Sequence, residues 1–193
     1  MKPLPGAVFA VLLAAILTGP AEPAKAGDAT LAKAAAGGYA IFMRHAIAPG
    51  TGDPSRFRLG DCSTQRNLSE EGRQQARRIG ATLRRAGLQE ALVYSSQWCR
   101  ASETARLLDL ATPGELPALN SFFARPGQQS GRMTELLRWL AAHPLDRPLV
   151  LVTHQVNITA FSGANPASGE MIVMRRDDNG RWRLAGRVAA SGG

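Results

Sequence analysis

Arginine and histidine side chains follow three hydrophobic runs of strand length in this chain. Arg44 and His45 follow "YAIFM", Arg100 comes shortly after "ALVYSS", and His154 ends "PLVLVTH". A guanidinium group remains charged at any working pH and pairs with phosphate oxygens through two parallel hydrogen bonds. A neutral imidazole can attack phosphorus, and a second imidazole can hydrogen-bond a phosphate oxygen. The four side chains therefore suit phosphoryl transfer, which depends mainly on positioning and charge neutralisation and can proceed without a metal ion.

Predicted strands and helices alternate along the chain, which is typical of a three-layer α/β/α sandwich with a mostly parallel central sheet. Ser69 is expected to cap a helix whose apolar residues recur at helical spacing up to Gly87. "PLVLVTH" has the continuous apolar content of a central parallel strand, and Asn179 with Gly180 predicts an antiparallel hairpin at one edge. The remaining predicted segments are a helix over Arg100–Leu110, a short strand over Leu116–Leu119, a loop over Asn120–Gly131 and a helix over Met133–Ala142.

This architecture brings the arginines and histidines into one place. Ligands of open parallel sheets bind at the carboxyl ends of the strands. Since all four side chains follow predicted strands, we expect them to converge at one edge of the sheet. His143, the third histidine, precedes Pro144 at a predicted helix end and is expected to be structural.

Four motifs resemble the histidine phosphatase superfamily, which has the phosphoglycerate mutase-like fold. They are "RHA" at Arg44, "NLSEEGRQQA", "SSQWCRASETA" and "LVLVTHQ", and the resemblance covers nearly all of Tyr39 to Val188. Ala46 replaces the glycine that usually follows the first histidine. The resemblance implies a metal-independent and cofactor-free phosphatase in which His45 forms a phosphohistidine. It also implies that Arg44, Arg100 and His154 hold the transferring phosphate.

The acid that would protonate the leaving group is missing from both positions that the family uses. No carboxylate lies between Leu116 and Thr134, and Gln155 follows His154 where other members carry an aspartate. The candidate proton donors are Asp53 and Asp61, with Glu115 and Glu135 as weaker ones. Loop carboxylates also commonly pair with neighbouring arginines. Two alternatives remain open: a leaving group that needs little protonation, such as phosphohistidine or an acyl phosphate, and phosphate binding without turnover.

Cys62 and Cys99 are the only cysteines in the sequence. In an exported protein an even count favours a disulfide, and the alternative is two buried free thiols. Cys62 lies in the loop after the first predicted strand and Cys99 directly precedes Arg100, so both loops should meet at the same edge of the sheet. We therefore hypothesise that a Cys62–Cys99 disulfide ties these loops together and helps to fix Arg100.

The N-terminal segment has the features of a cleaved signal peptide. Lys2 precedes an uncharged apolar run, Gly6–Leu17, and Ala24 with Ala26 forms a cleavage pattern. We predict cleavage after Ala26, a single catalytic domain over residues 27–193 and a periplasmic or secreted location. The alternative is a membrane anchor, for which the apolar run is short of the roughly 20 residues that span a bilayer.

The formal net charge is +8 and falls to about +7 without the signal peptide, which favours anionic partners. Nucleic acid is not expected because the basic residues are scattered and form no binding motif. The sequence therefore predicts an exported phosphatase that acts on a small phosphorylated substrate, such as an envelope sugar phosphate. The rival interpretations are a phosphate-binding protein with a vestigial site and a basic protein that binds anionic polymers. The oligomeric state stays open.

Overall fold

The computed structural model describes residues 26–190. The predicted signal peptide lies outside the described residues except for Ala26, so the cleavage and the extent of the mature domain stay predictions. Within the described residues no helix is long and apolar enough to cross a membrane. The helices are α1 (Ala26–Ala35), α2 (Glu70–Arg85), α3 (Cys99–Leu107), α4 (Gln129–Ala142) and α5 (Gln155–Ser162). The strands are β1 (Tyr39–Arg44), β2 (Leu92–Ser95), β3 (Gly114–Glu115), β4 (Leu149–Thr153), β5 (Met171–Arg176) and β6 (Trp182–Val188).

These strands form one mixed sheet in the order β3-β2-β4-β1-β5-β6. Strands β3, β2, β4 and β1 run parallel, whereas β5 pairs antiparallel with β1 and β6 pairs antiparallel with β5. Gly180 lies in the β5–β6 turn with φ of 76°, a left-handed conformation that glycine adopts without strain. The predicted parallel sheet with a C-terminal antiparallel hairpin is confirmed.

Alternating side chains of the sheet build a core on each of its faces. On one face Ile41 and Met43 of β1 pack with Val150 and Val152 of β4 beneath α1, α2 and α3. On the other face Phe42 and its neighbours pack beneath α4 and α5. All five residues of β4 are buried, as expected for a central parallel strand covered on both sides. The helix–sheet–helix layering follows from this two-sided burial.

The predicted strand over Leu116–Leu119 is wrong. The third strand is β3, which is shorter and begins two residues before the predicted strand. It pairs with β2, and Pro117–Leu119 forms a 3₁₀ turn. Pro117 has no N–H to donate to a strand ladder, but it fits the first position of a helical turn.

The helix predicted from Met133 begins earlier, at Gln129, so the predicted loop over Asn120–Gly131 is shorter than expected. Two helices had no sequence prediction. Among the described side chains of α1, over residues 27–35, only Leu31 and Ala34 are buried, and α5 is a two-turn helix that begins two residues after β4 ends. The apolar residues of these helices are not concentrated on one face, so the sequence shows no clear helical period.

Candidate active site

The ends of β1, β2 and β4 open onto one large cavity of about 740 Å³. The backbone N–H of His45 donates to the Thr153 carbonyl at 2.9 Å, which joins the last residues of β1 and β4. Arg100 lies in the first turn of α3, and Gln155 begins α5. Both helices therefore direct their positive amino-terminal ends to this region. The structure brings Arg44, His45, Arg100 and His154 together, and we call these four residues with Asp53 the floor of the cavity.

Contacts with α2 and α3 fix the backbone directly after β1. The Ala46 N–H donates to Thr104 Oγ1 at 3.0 Å, and the Ala46 side chain is fully buried, so alanine is accommodated where the family has glycine. Gly72 lies so close to Ile47 that a β-carbon there would collide with its carbonyl oxygen. Helix α2, capped by Ser69 as predicted, can therefore pack directly against the loop that leaves β1.

The hydrogen bonds of His45 define its tautomer. Its Nδ1 lies 2.8 Å from the carbonyl oxygen of Ala46, which can only accept, so Nδ1 carries the proton. Arg100 Nε donates to His45 Nε2 at 3.2 Å, so the lone pair of the neutral ring is on Nε2. Nε2 is therefore the nitrogen that can attack an electrophile.

Arg100 links the two histidines to Asp53. One edge of its guanidinium is bound by Asp53, with Nη1–Oδ1 at 2.6 Å and Nη2–Oδ2 at 3.2 Å. The Nε–Nη2 edge faces the imidazoles, with Nη2 3.5 Å from His154 Nδ1. Because Arg100 is only 3% exposed, this pairing satisfies a buried charge. Asp53 thus fixes the direction in which Arg100 presents its remaining donors.

A buried polar chain holds His154. Its Nε2 lies 2.8 Å from Ser96 Oγ, which in turn lies 3.2 Å from Asn120 Oδ1. Since the backbone N–H of Gln97 donates to Asn120 Oδ1 at 2.9 Å, that atom is the oxygen and accepts the Ser96 hydroxyl proton. Ser96 then accepts from His154 Nε2–H, which leaves the lone pair of Nδ1 facing Arg100.

Both imidazoles are neutral. Burial lowers the pKa of His45 to about 3. The hydrogen bond to Ala46 opposes this shift, and the positive charges of Arg100, Arg66 and Arg44 add to it. Burial and Arg100 also lower the pKa of His154 well below its usual value. His45 therefore has a nucleophilic lone pair throughout the neutral pH range.

Two further arginines supply positive charge. Arg44 donates from Nη1 to the Pro166 carbonyl at 2.9 Å, and its buried Nε has no hydrogen-bond partner in the described part of the chain. Arg66 donates from Nε to the Gly52 carbonyl at 2.7 Å, and burial followed by the charge of Arg100 lowers its pKa to about 10. Within residues 26–190 neither guanidinium is paired with a carboxylate, so their charges are available to an anion.

The candidate proton donors have different positions. Among the described residues that line the cavity, Asp53 is the only carboxylate. Burial alone would raise its pKa, but hydrogen bonds and charge from Arg100, with hydrogen bonds from Trp98 Nε1 and the Arg66 N–H, hold it below its usual value. Asp61 lies outside the lining, is partly exposed, and accepts hydrogen bonds from Ser63. An ionised, paired Asp53 is poorly suited to donate a proton.

The weaker candidates are also outside the cavity lining. Glu115 accepts a hydrogen bond from Gln97 Nε2 at 3.0 Å, and Glu135 pairs with Arg132 at 3.3 Å. Gln155, where some family members carry an aspartate, lines the cavity and donates to Thr159 Oγ1. His143 stacks on Trp139 away from the cavity, as expected of a structural residue.

Cys62 and Cys99 are bonded, as predicted. The disulfide joins the loop after β1 to the first residue of α3. Gln65 Oε1 accepts from the Cys99 N–H at 3.0 Å, which adds a second link at the same point. The loop that carries Asp53 is therefore attached to the helix that carries Arg100 by both covalent and hydrogen bonds.

Several residues of the site had no sequence prediction of function: Arg66, Trp98, Asn120, Phe123 and Arg125 line the cavity, and Ser96 holds His154. Ser96 ends the motif "ALVYSS", so its position after a strand was a usable signal. The others lie in loops or at a helix start, where no periodicity marks the side chains that face a cavity.

The sequence model of the histidine phosphatase superfamily (branch 1) matches residues 41–122 of the chain. This segment contains most of β1, the loop after it, α2, β2 and α3, and so carries His45, Asp53 and Arg100. Comparison with curated protein sequences finds no match.

Solved structures share the fold. The product of open reading frame Rv3214 from Mycobacterium tuberculosis has a TM-score of 0.61 at 16% identity and covers 80% of this chain and 98% of its own. Mycobacterial glucosyl-3-phosphoglycerate phosphatase Rv2419c, complexed with VO3, has a TM-score of 0.59 at 18% identity. The match covers 80% of this chain and 99% of that protein. The protein histidine phosphatase SixA, complexed with tungstate, has a TM-score of 0.53 at 16% identity. The match covers 79% of this chain and 97% of that protein. At these identities the likeness establishes the fold.

Proposed function

The chain belongs to the histidine phosphatase superfamily and is a phosphatase, and we propose that it transfers the substrate phosphoryl group to His45 and then to water. The observation that carries this proposal is the neutral His45 ring, with Nδ1–H bound to Ala46 and the lone pair on Nε2 beside Arg100 and His154. A nucleophile with this tautomer needs no base to remove a proton before it attacks.

The reaction has two displacements. His45 Nε2 attacks phosphorus, the P–O bond to the leaving group breaks, and its electron pair goes to the departing oxygen, which is then protonated. Water attacks the phosphohistidine, the P–N bond breaks with its electrons returning to Nε2, and the proton of the water is released to solvent. The guanidinium edges of Arg44, Arg66 and Arg100 stabilise the charge on the phosphoryl oxygens in both steps.

Asp53 serves as a positioning residue for Arg100 in this scheme. It binds the guanidinium edge remote from the imidazoles, so that the Nε–Nη2 edge stays directed to the space between His45 and His154. A phosphoryl group at His45 Nε2 would receive hydrogen bonds from that edge.

The lack of a free carboxylic acid in the described lining favours leaving groups that need little protonation. Phosphohistidine and acyl phosphates are such substrates, and SixA, a structural neighbour, is a protein histidine phosphatase. A phosphohistidine-directed phosphatase is therefore the second candidate function. Rate constants should then rise steeply as the pKa of the leaving group falls.

We further propose that the enzyme is exported and acts on a phosphomonoester of the cell envelope. The signal-peptide pattern of residues 1–26 supports export, and so does the Cys62–Cys99 disulfide, because disulfides persist mainly in oxidising compartments. The excess of arginine supports an anionic substrate.

The direct test measures phosphate release by residues 27–193 from p-nitrophenyl phosphate, acetyl phosphate, phosphohistidine and sugar phosphates, with EDTA present throughout. We expect turnover that survives EDTA and is lost in His45→Ala. His143→Ala is the matched control, because it removes a histidine outside the cavity. Turnover that persists in His45→Ala contradicts the proposal, and binding without turnover would favour a phosphate-binding protein.

A further inference from the structure

We infer that the substrate of this site carries an apolar chain next to its phosphate, and that the chain lies against a hydrophobic surface at the mouth of the cavity. We define the mouth as Phe57, Leu59, Trp98 and Phe123, all of which line the same cavity as His45. The inference rests on the proposed phosphate site at the floor.

The cavity is much larger than a phosphate group requires. Its volume of about 740 Å³ falls within the ~300–1,000 Å³ typical of pockets that enclose whole organic ligands. Besides the residues around His45, the lining includes Arg125, Arg132 and the apolar side chains of the mouth, so the remaining volume can contact the rest of the substrate. The chemistry of the mouth therefore indicates what that part of the substrate is.

Two exposed loops supply the apolar surface of the mouth. Phe57 stacks on Trp98 with ring centroids 4.9 Å apart and forms a flat wall. Phe123, from a second loop, lies against the loop after β1, because a β-carbon added to Gly52 would be 3.7 Å from Phe123 Cε1. Leu59 completes the apolar rim.

The exposure of these side chains is unusual for the described surface. Four large apolar side chains are exposed in residues 26–190, and two of them, Leu59 at 46% and Phe123 at 52%, are at this cavity. Single exposed apolar residues need no explanation, whereas a cluster that borders a site commonly marks a binding surface. The other two, Leu137 and Leu184, are outside the lining and provide matched controls.

Charge complementarity selects the occupant. The proposed phosphate site consists of Arg44 and Arg100 of the floor with the neighbouring Arg66, and the apolar mouth lines the same cavity. An amphiphile whose headgroup is a phosphomonoester satisfies both regions at once. A purely polar sugar phosphate would leave the apolar rim exposed to water.

The test uses alkylphosphonates, whose C–P bond prevents hydrolysis, so that binding is measured whether or not the protein turns over esters. Calorimetry with methyl-, butyl- and octylphosphonate, below their aggregation concentrations, should give at least about tenfold tighter binding for the octyl compound, since burial of a few methylenes suffices. Phe123→Ser and Leu59→Ser should reduce this octyl-to-methyl ratio to about threefold or less. Leu184→Ser should leave it unchanged.

Each contrary result identifies what fails. Equal affinities for methyl- and octylphosphonate would overturn the inference and leave the phosphate site intact. Absence of binding by any phosphonate would overturn the phosphate site and this inference with it. Octylphosphonate binding that is unaffected by Arg100→Ala would show adsorption independent of the floor and contradict the inference. Sedimentation could instead show that the wild-type protein is a dimer and that Phe123→Ser is a monomer. The mouth would then bind a second copy of the chain, which also contradicts the inference.

Discussion

The floor and the mouth of the cavity are built in different ways. At the floor every titratable side chain is held by hydrogen bonds to a backbone group or a buried partner, as His45 is by Ala46 and Arg100 is by Asp53. At the mouth Leu59 and Phe123 project from loops and are half-exposed. The floor is therefore organised before a ligand arrives, whereas the mouth offers apolar area that only a ligand would cover. We expect floor substitutions to change the chemical step and mouth substitutions to change substrate preference.

The largest effect is expected for His45→Ala. Loss of the nucleophile should lower kcat/KM by about 10⁴-fold or more, because arginines alone cannot supply a covalent route. Steady-state assays with p-nitrophenyl phosphate measure this, and circular dichroism checks folding. His143→Ala should retain activity within about twofold. A similar loss in both variants would mean that folding, and not the floor, had been altered.

Removal of the disulfide should have the next largest effect. Cys62 and Cys99 are separated by 37 positions, for which the chain-entropy model gives about 4 kcal/mol of stabilisation. Urea unfolding of the Cys62→Ser/Cys99→Ser double variant should therefore show a loss of about 3–4 kcal/mol. Activity should also fall, since the loop that carries Asp53 loses its covalent attachment. An unchanged unfolding midpoint would contradict this role.

Asp53→Asn tests whether Asp53 positions Arg100 or donates a proton. If Asp53 positions Arg100, Asp53→Asn should reduce kcat/KM by about 10- to 100-fold, and by the same factor for p-nitrophenyl and alkyl phosphates. A general acid would matter far more for the alkyl ester, whose alkoxide leaves poorly. Asp53→Glu should restore part of the activity, and Asp61→Asn should have little effect because Asp61 is outside the cavity lining. A loss confined to alkyl esters would identify Asp53 as the acid.

Acidification should destabilise the protein through its buried histidines. The pKa of His45 is lowered to about 3 by burial, against about 6.5 in an unfolded chain. Between these values the unfolded state binds a proton that the native state does not, so the free energy of unfolding rises with pH and falls on acidification. Each such imidazole contributes up to about 1.4 kcal/mol per pH unit in that window. Urea unfolding from pH 7 to pH 4.5 should show a shallower slope for His45→Gln than for wild type.

The smallest effects are expected at the mouth. Phe123→Ser and Leu59→Ser should change the free energy of unfolding by about 0.5 kcal/mol or less, because neither side chain belongs to a core cluster. Activity on acetyl phosphate, which has no chain to reach the mouth, should stay within about twofold of wild type. A large loss on this small substrate would mean that the mouth and floor are coupled.

The two regions also differ in how far the sequence predicts them. Arg44, His45 and His154 follow buried strands directly, so their convergence follows from the parallel sheet. Arg100 comes shortly after the strand motif "ALVYSS", so the same rule places it at this edge, and the family resemblance agrees.

Asp53 was predicted as a proton donor, but its bond to Arg100 joins residues 47 positions apart and no local pattern shows it. Phe123 and Leu59 lie in loops, where neither 2-residue nor 3.6-residue periodicity marks the side chains that face a cavity. The short strand at Gly114 was misplaced because two residues carry no periodicity at all.

Trapping the covalent intermediate tests the central claim most directly. In a rapid-quench experiment with p-nitrophenyl phosphate, the first burst of nitrophenol should coincide with one phosphoryl group on the peptide that contains His45. This label should be lost in acid, stable in base and unaffected by EDTA. A nitrophenol burst with His45 unmodified, or with the phosphoryl group on another residue, would contradict the account.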